Sequence, residues 1–302
     1  MLMIESNIIW LVFWCMITLL LVLDLYISSK FTITTKTSVI ITIVFILVAL
    51  CFGGIISLVD NKLGVEFFTG FVIEKTLSLD NIFVIKVIFD HFKIPKEKQH
   101  KVLMIGILSA LILRAIMIMG GVVLITKFNW VMQIFAAILI FSGFKMLTSK
   151  KNVKKEVEDG FIFRLLDKKA FLINDVNNFF VRTEGKIKFT KLFGSLIAIE
   201  FADIIFAIDS IPAIFAITNN QMIIYSSNIF AILGLRALYN VLSDLGNKFH
   251  NLNYALAFIL CYIGFKILLA NIFHIPSIVS LMIIFTTIFI AIITSRFSKN
   301  IK

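Results

Sequence analysis

Two stretches decide how this chain folds: EKTLSLDNIFVI, from Glu74 to Ile85, and DIIFAIDSIPAI, from Asp203 to Ile214. Each has an acid, five residues, then Asp, a small polar residue and Ile. The first lies inside the apolar stretch Val65 to Phe89, the second inside Leu192 to Thr218. Both stretches are long enough to cross a hydrocarbon core of roughly 30 Å, yet they hold Glu66, Glu74, Lys75, Asp80 and Lys86, and Glu200, Asp203 and Asp209. They are either amphipathic surface helices or membrane spans, and the whole topology turns on which.

The rest of the chain sets the frame. Of 302 residues, 60% are hydrophobic and 16% charged, with 32 Phe and a mean hydropathy of +1.00. A soluble domain is about 45–50% apolar and about 25% charged, so a water-soluble globule is excluded. Seven further apolar runs read as spans: Ile8 to Ile27, Val39 to Val59, Val102 to Ile125, Trp130 to Leu147, Ile223 to Leu242, Ala255 to Phe273 and Ile278 to Thr294. The first follows Glu5 rather than a basic region and lacks a small-residue cleavage site, so it reads as a retained span. Cys15, Cys51 and Cys261 all lie in apolar runs, which fits neither a disulfide framework nor a zinc site.

Basic residues arbitrate. With both acidic stretches spanning there are nine helices, and the loops divide 21 Lys and Arg on one side against 2 on the other; with neither spanning the division is 18 to 7. The nine-span reading segregates charge better. It places the N-terminus outside and the C-terminus in the cytoplasm. It also accounts for the net charge of +11 without nucleic acid. The hydrophilic stretch Thr148 to Lys191 then faces the cytoplasm. Its eleven basic and six acidic residues are mixed with Phe161, Phe163, Phe171, Phe179 and Phe180, so it is expected to fold against the membrane. No Gly-rich loop ending in Gly-Lys-Ser/Thr occurs, which argues against ATP-driven pumping by this chain alone.

The acid motif is one of three landmarks that recur in order. Asp203 follows Glu74 by 129 residues, Arg236 (in FAILGLRA) follows Arg114 (in GILSALILRA) by 122, and Gly264 (in GFKIL) follows Gly143 (in GFKML) by 121. Each copy holds three helices. An odd number sends the second copy into the membrane from the opposite side, which is the inverted repeat of secondary transporters, with a substrate site near the midplane. The expected organisation is an all-α polytopic membrane protein: two helices in residues 1–63, a first three-helix unit in 64–148, a cytoplasmic loop in 149–191, an inverted unit in 192–274, and a last helix with a tail in 275–302.

Charged groups at membrane depth cost at least about 2.5–3.5 kcal/mol each, so five carboxylates in two spans demand a reason. Glu200 and Asp203 share a helix face, whereas Glu74/Asp80 and Asp203/Asp209 are each about 120° and about 9 Å apart on a straight helix. An unwound turn between the members would let both aim at one point. Pro212 is a cause for one, since it deprives the Ile208 carbonyl of its helical donor beside Asp209. Five carboxylates with Asn81, Ser210 and freed carbonyls form an all-oxygen donor set suited to Mn²⁺, Mg²⁺ or Ca²⁺. Structural ion pairing is the competing account, because Arg114, Arg236, Lys145 and Lys266 are also intramembrane and repeated. An intramembrane metallo-enzyme is weaker, since no His motif or positioned nucleophile accompanies the acids. Lys75 points about 100° away from its neighbour Glu74 and does not pair with it through adjacency.

Over these residues, and at IEFADIIFAIDSIPAIFAIT (Ile199 to Thr218), SSNIFAILGLRALY (Ser226 to Tyr239), FFVR (Phe179 to Arg182) and Gly185–Lys186, the chain resembles the TerC/Alx family of integral membrane proteins. The resemblance implies a bacterial cytoplasmic-membrane protein of a family whose better-understood members act in manganese efflux, with a three-plus-three inverted-repeat core. By that analogy Glu74 and Asp80 match the first acidic motif, and Glu200, Asp203 and Asp209 the second. It favours Mn²⁺ as the transported ion over Mg²⁺ or Ca²⁺. The expectation is a secondary transporter rather than an enzyme, with no permanently bound cofactor and with a proton as candidate coupling ion. The alternative is a non-transporting scaffold for stress response or membrane-protein assembly, which takes a cytoplasmic protein partner at the 149–191 loop.

Overall fold

A computed structural model describes residues 2–30, 34–128, 130–148, 172–173, 175–183, 186–245, 252–270, 273 and 275–297. Ten helical segments lie in these residues: α1 (Leu2–Lys30), α2 (Thr35–Val59), α3 (Asn61–Phe92), α4 (Lys96–Lys127), α5 (Val131–Thr148), α6 (Lys191–Phe215), α7 (Gln221–Ile232), α8 (Leu235–Leu245), α9 (Leu252–Leu268) and α10 (Ser277–Phe297). Taking α7 and α8 as halves of one span, the nine-span arrangement fits. Thr35–Val59, Lys96–Lys127, Gln221–Val241 and Ser277–Ser295 are long and apolar enough to cross a membrane, and Ile8–Asp24, Val131–Leu147 and Tyr254–Leu268 are shorter apolar helices.

Polar caps set where the helices start. Asp60 accepts from the Lys62 and Leu63 amides at the head of α3, Thr190 from Phe193 at α6, and Asn220 from Met222 and Ile223 at α7. Side chains are distributed inside out. Leu58, Ile112, Phe141 and Phe285 are exposed on outward helix faces, while Glu74, Thr76, Asn81, Arg114, Asn228 and Arg236 are buried. In water this would waste apolar surface and strip polar groups of solvent, whereas in lipid it is the favourable arrangement.

Helix α3 runs through the middle of the bundle, against α2, α6, α7 and α10. On one flank Phe13, Phe52, Phe67 and Phe230 interlock, with Phe52 and Phe230 centroids 5.0 Å apart, and fasten α1 and α2 to α3 and α7. On another flank α5 and α9 meet at glycines: a Cβ on Gly143 would lie 2.8 Å from the Ala257 carbonyl, and one on Gly264 would lie 2.9 Å from the Ala136 carbonyl. Backbones approach this closely only where side chains are missing.

Two local expectations are corrected. The unwound turn expected beside Pro212 does not form, because α6 is continuous from Lys191 to Phe215 with Pro212 in its last turn. The ring there removes the helical bond to the Ile208 carbonyl without breaking the helix, which ends three residues later. The span expected as one helix from Ile223 to Leu242 is instead broken. Helix α7 ends at Ile232, Leu233 turns to φ −58°, ψ 136°, and Gly234 takes φ +79° before α8 begins. Such a φ is costly for any residue with a Cβ, and a Cβ here would also meet Phe45 at 3.2 Å.

An all-helical reading misses one small element. The described part of the 149–191 loop forms β1 (Leu172–Ile173), β2 (Phe180–Thr183) and β3 (Lys186–Thr190), in the order β1-β3-β2, with β1 parallel and β2 antiparallel to β3. Thr190 ends β3 and caps α6, so the sheet sits at the end of that helix. Phe161 and Phe163 lie outside the described residues, as does Phe171.

Candidate functional site

Glu74 on α3 and Asp203 on α6 are brought together by Arg114 of α4. Arg114 Nη1 donates to Glu74 Oε1, and Nη2 donates to Asp203 Oδ1 at 3.1 Å. The same Nη1 also reaches Asn228 Oδ1 at 2.8 Å and Ser210 Oγ at 3.2 Å. Asn228 has its amide nitrogen tied to the Ile224 carbonyl, which turns its oxygen toward the guanidinium. Arg114 is 1% exposed and Glu74 2%, so this is an ion pair out of solvent, joining four helices through one planar cation. Glu74 Oε2 and Arg114 Nε have no hydrogen-bond partner among the described residues.

Beside this junction lies a cavity of about 30 Å³, room for a water molecule or a small ion. Asn81, Glu200 and Asp203 supply its polar lining, and Gly106, Ile232 and Leu235 line it as well. Asn81 is 6% exposed and its Oδ1 has no partner among the described residues; the same holds for Glu200 Oε2. The other Glu200 oxygen accepts from Ser109 Oγ at 2.6 Å. Gly106 lies beside this carboxylate, where an added Cβ would make ordinary van der Waals contact with Oε1 at 3.4 Å. Glu200 and Asp203, three residues apart, face the same cavity, as their shared helix face requires.

The remaining expected residues are placed elsewhere. Asp209 accepts from Ser142 Oγ of α5 at 2.7 Å, within electrostatic reach of Lys145, and does not line the cavity. Asp80 lies on α3, but its side chain is outside those described. Ile208 turns its side chain outward and is 46% exposed, on an unbroken helix. Lys266 donates to Ser280 Oγ at 2.9 Å, within electrostatic reach of Glu66. Arg236 pairs with Asp24 of α1, donating to its carboxylate and, at 3.0 Å, to its backbone carbonyl, and it meets His100 Nε2 of α4 at 2.8 Å. Among the described contacts, then, Arg114 alone of the two repeated arginines compensates the motif acids. Arg236 falls just after the helix break and is drawn to the end of the bundle that holds Asp24. Among the described residues no three side chains of His, Cys, Asp and Glu form a metal shell.

Several participants escape a reading based on the motif acids alone: Ser109, Ser142, Asn228, Asp24, His100 and Lys75. For Asn228 a signal exists. Ser226, Ser227 and Asn228 are consecutive polar residues in an apolar span, and all three are fully buried. His100, just ahead of the apolar run Val102 to Ile125, is in the second turn of α4.

The model of the integral membrane protein TerC family matches residues 59–302. An "Uncharacterized membrane protein" of Rickettsia felis is 45% identical over 298 residues, covering 96% of this chain and 98% of its own length. A "Putative membrane-bound redox modulator Alx" of Escherichia coli O6:H1 is 37% identical over 294 residues, covering 93% and 91%. One of the same name from Salmonella typhi is 41% identical over 244 residues, covering 80% and 76%. No solved structure matches the chain.

Proposed function

This chain belongs to the TerC family of integral membrane proteins, and from that premise we propose that it is a secondary transporter exporting divalent cations, foremost Mn²⁺, from the cytoplasm. One observation carries the reading: Asn81, Glu200 and Asp203 line a cavity inside the bundle, and Asn81 Oδ1 and Glu200 Oε2 lack a protein partner among the described residues. Buried oxygens are costly without a partner, and an all-oxygen lining suits a hard cation. The cavity lies on the half of α3 that ends at Phe92, which the charge segregation assigns to the cytoplasm, where an exporter takes up its cargo.

Arg114 supplies the counter-charge. With no cation bound it neutralises Glu74 and Asp203. A cation entering beside Asp203 competes for the same carboxylate, so cargo and guanidinium exchange places on one acid. The Asp209 site, three helical residues beyond the cavity's Phe206, is then a second station on the path, and a proton is the coupling ion we favour. The reciprocal fit of Gly143 against Ala257 and Gly264 against Ala136 supports two inverted three-helix units, because partners on both sides are 121 residues apart. Alternating access then rocks one unit against the other. The chemistry is transport and involves no covalent step, so no enzyme activity is assigned.

The test replaces Asp80 or Asp209 with Asn in an efflux-deficient host. Cellular manganese should rise above the level held by the intact protein. Equal complementation by both variants would sink the assignment of these acids. Proteoliposome uptake across Mn²⁺, Ca²⁺, Mg²⁺ and Zn²⁺, with and without a pH gradient, fixes cargo and coupling.

The Arg114 bridge favours a second reading, a scaffold in which the acids are structural and a cytoplasmic protein binds the 149–191 loop. Replacing that loop separates the two: a transporter keeps metal flux in proteoliposomes, whereas a scaffold has no flux to lose.

A further inference from the structure

The break between α7 and α8 leaves carbonyls at the end of α7 without helical donors, in the interior of the bundle. Lys75, on α3, fills that role. Its Nζ donates to the Ala231 carbonyl at 3.0 Å and to the Leu233 carbonyl at 3.3 Å. A cation at a helix C-terminus is doubly favoured, by hydrogen bonding and by the helix dipole, and here both act away from water. The neighbouring residue, Glu74, holds Arg114. One turn of α3 therefore fastens two things at once: through Glu74 the arginine that neutralises the acids, and through Lys75 the broken helix. The break borders the cavity, since Ile232 and Leu235, on either side of Leu233 and Gly234, both line it.

We propose that Lys75 is a positioning residue of the transport pocket: it pins the broken end of α7 to α3 and so fixes how far Ile232 and Leu235 close over the cavity that holds Asn81, Glu200 and Asp203. This rests on the transport reading above. Lys75 itself does not line the cavity. Its loss should therefore slow the conformational step rather than weaken cargo binding. Gly234, with φ +79°, is the joint about which α8 moves when the pin lets go.

The experiment uses the full-length protein in proteoliposomes, with Mn²⁺ flux as one readout. The second is the rate at which a membrane-impermeant maleimide labels Leu235→Cys in a chain whose three native cysteines are replaced by Ser. Loss of a charge-assisted hydrogen bond predicts that Lys75→Met lowers the maximal flux about tenfold with the half-saturating Mn²⁺ concentration changed less than about twofold. Labelling at position 235 should quicken by a comparable factor. Lys75→Arg, which keeps the charge and donors, should restore both. Lys75→Gln, which keeps a donor without charge, should fall between, and it carries the comparison if Lys75→Met does not reach the membrane. Unchanged flux and labelling in Lys75→Met or Lys75→Gln overturn the proposal. So does a raised half-saturation with unchanged maximal flux, which would put Lys75 in contact with the cargo. If the intact protein moves no metal, the transport reading fails, while the labelling rates still decide whether Lys75 pins the break.

Discussion

Gly143 and Gly264 occupy equivalent places in a single helix contact, each pressed against the backbone of the other's helix. A Cβ on Gly143 would meet the Ala257 carbonyl at 2.8 Å and the Cys261 amide at 3.2 Å; one on Gly264 would meet the Ala136 carbonyl at 2.9 Å and the Ile140 amide at 3.2 Å. Backbone atoms cannot rotate aside, so either alanine forces α5 and α9 apart. Gly143→Ala and Gly264→Ala should each destabilise by about 1–3 kcal/mol, the usual cost of overpacking. Gly120, where an added methyl would meet nothing within 4 Å, provides the control. Unfolding midpoints in detergent that fall no further for Gly143→Ala than for Gly120→Ala would contradict the close contact.

Arg114 predicts a reversal between single and double variants. Arg114→Met leaves Glu74 and Asp203 buried and uncompensated, which should cost about 3–5 kcal/mol. Adding Glu74→Gln removes one of the orphaned charges, so the double variant should be more stable than Arg114→Met alone. A double-mutant cycle on unfolding in detergent measures this. Additive losses would show that the two side chains do not interact in the folded protein.

Ser109 holds Glu200 at the cavity through one hydroxyl at 2.6 Å. Ser109→Ala keeps the carboxylate but frees its orientation, which should weaken apparent Mn²⁺ affinity roughly three- to tenfold. Glu200→Gln removes the charge itself and should weaken it more. The flux titration in proteoliposomes checks the order of these effects, and Ser109→Ala being the more harmful would place Glu200 outside the binding path.

The membrane class, the nine-span arrangement and the motif acids are legible in the sequence because lipid punishes charge, so Glu74, Glu200 and Asp203 stand out against leucine and isoleucine. Partner choice is less so. Arg114 and Arg236 occupy matching places in the repeated motif, yet one holds Glu74 and Asp203 and the other Asp24 and His100. Which acid a cation reaches depends on how helices far apart in sequence pack, and no local pattern carries that. Pro212 is the stronger local signal for a helix break, but the break lies at Gly234. Helix α6 runs through Pro212 unbroken, whereas at Gly234 a residue free to take a positive φ, with Lys75 nearby to take the Ala231 and Leu233 carbonyls, makes a break inexpensive.

The Arg236 latch yields a pH prediction from geometry. Arginine only donates, so His100 Nε2 must accept, and the imidazole is neutral with its proton on Nδ1. Among the described interactions it is coupled to Arg236 of α8 and Asp24 of α1. Protonating Nε2 sets two cations against each other and breaks that bond, leaving Arg236 held by Asp24. Labelling of Leu235→Cys should therefore quicken once the pH is low enough to protonate His100. His100→Asn, which cannot titrate, should flatten the profile. Asp24→Asn should quicken labelling at every pH, since Arg236, 2% exposed, then loses its counter-charge. A pH response that persists in His100→Asn would assign it to another group and leave the latch without a role in opening α8.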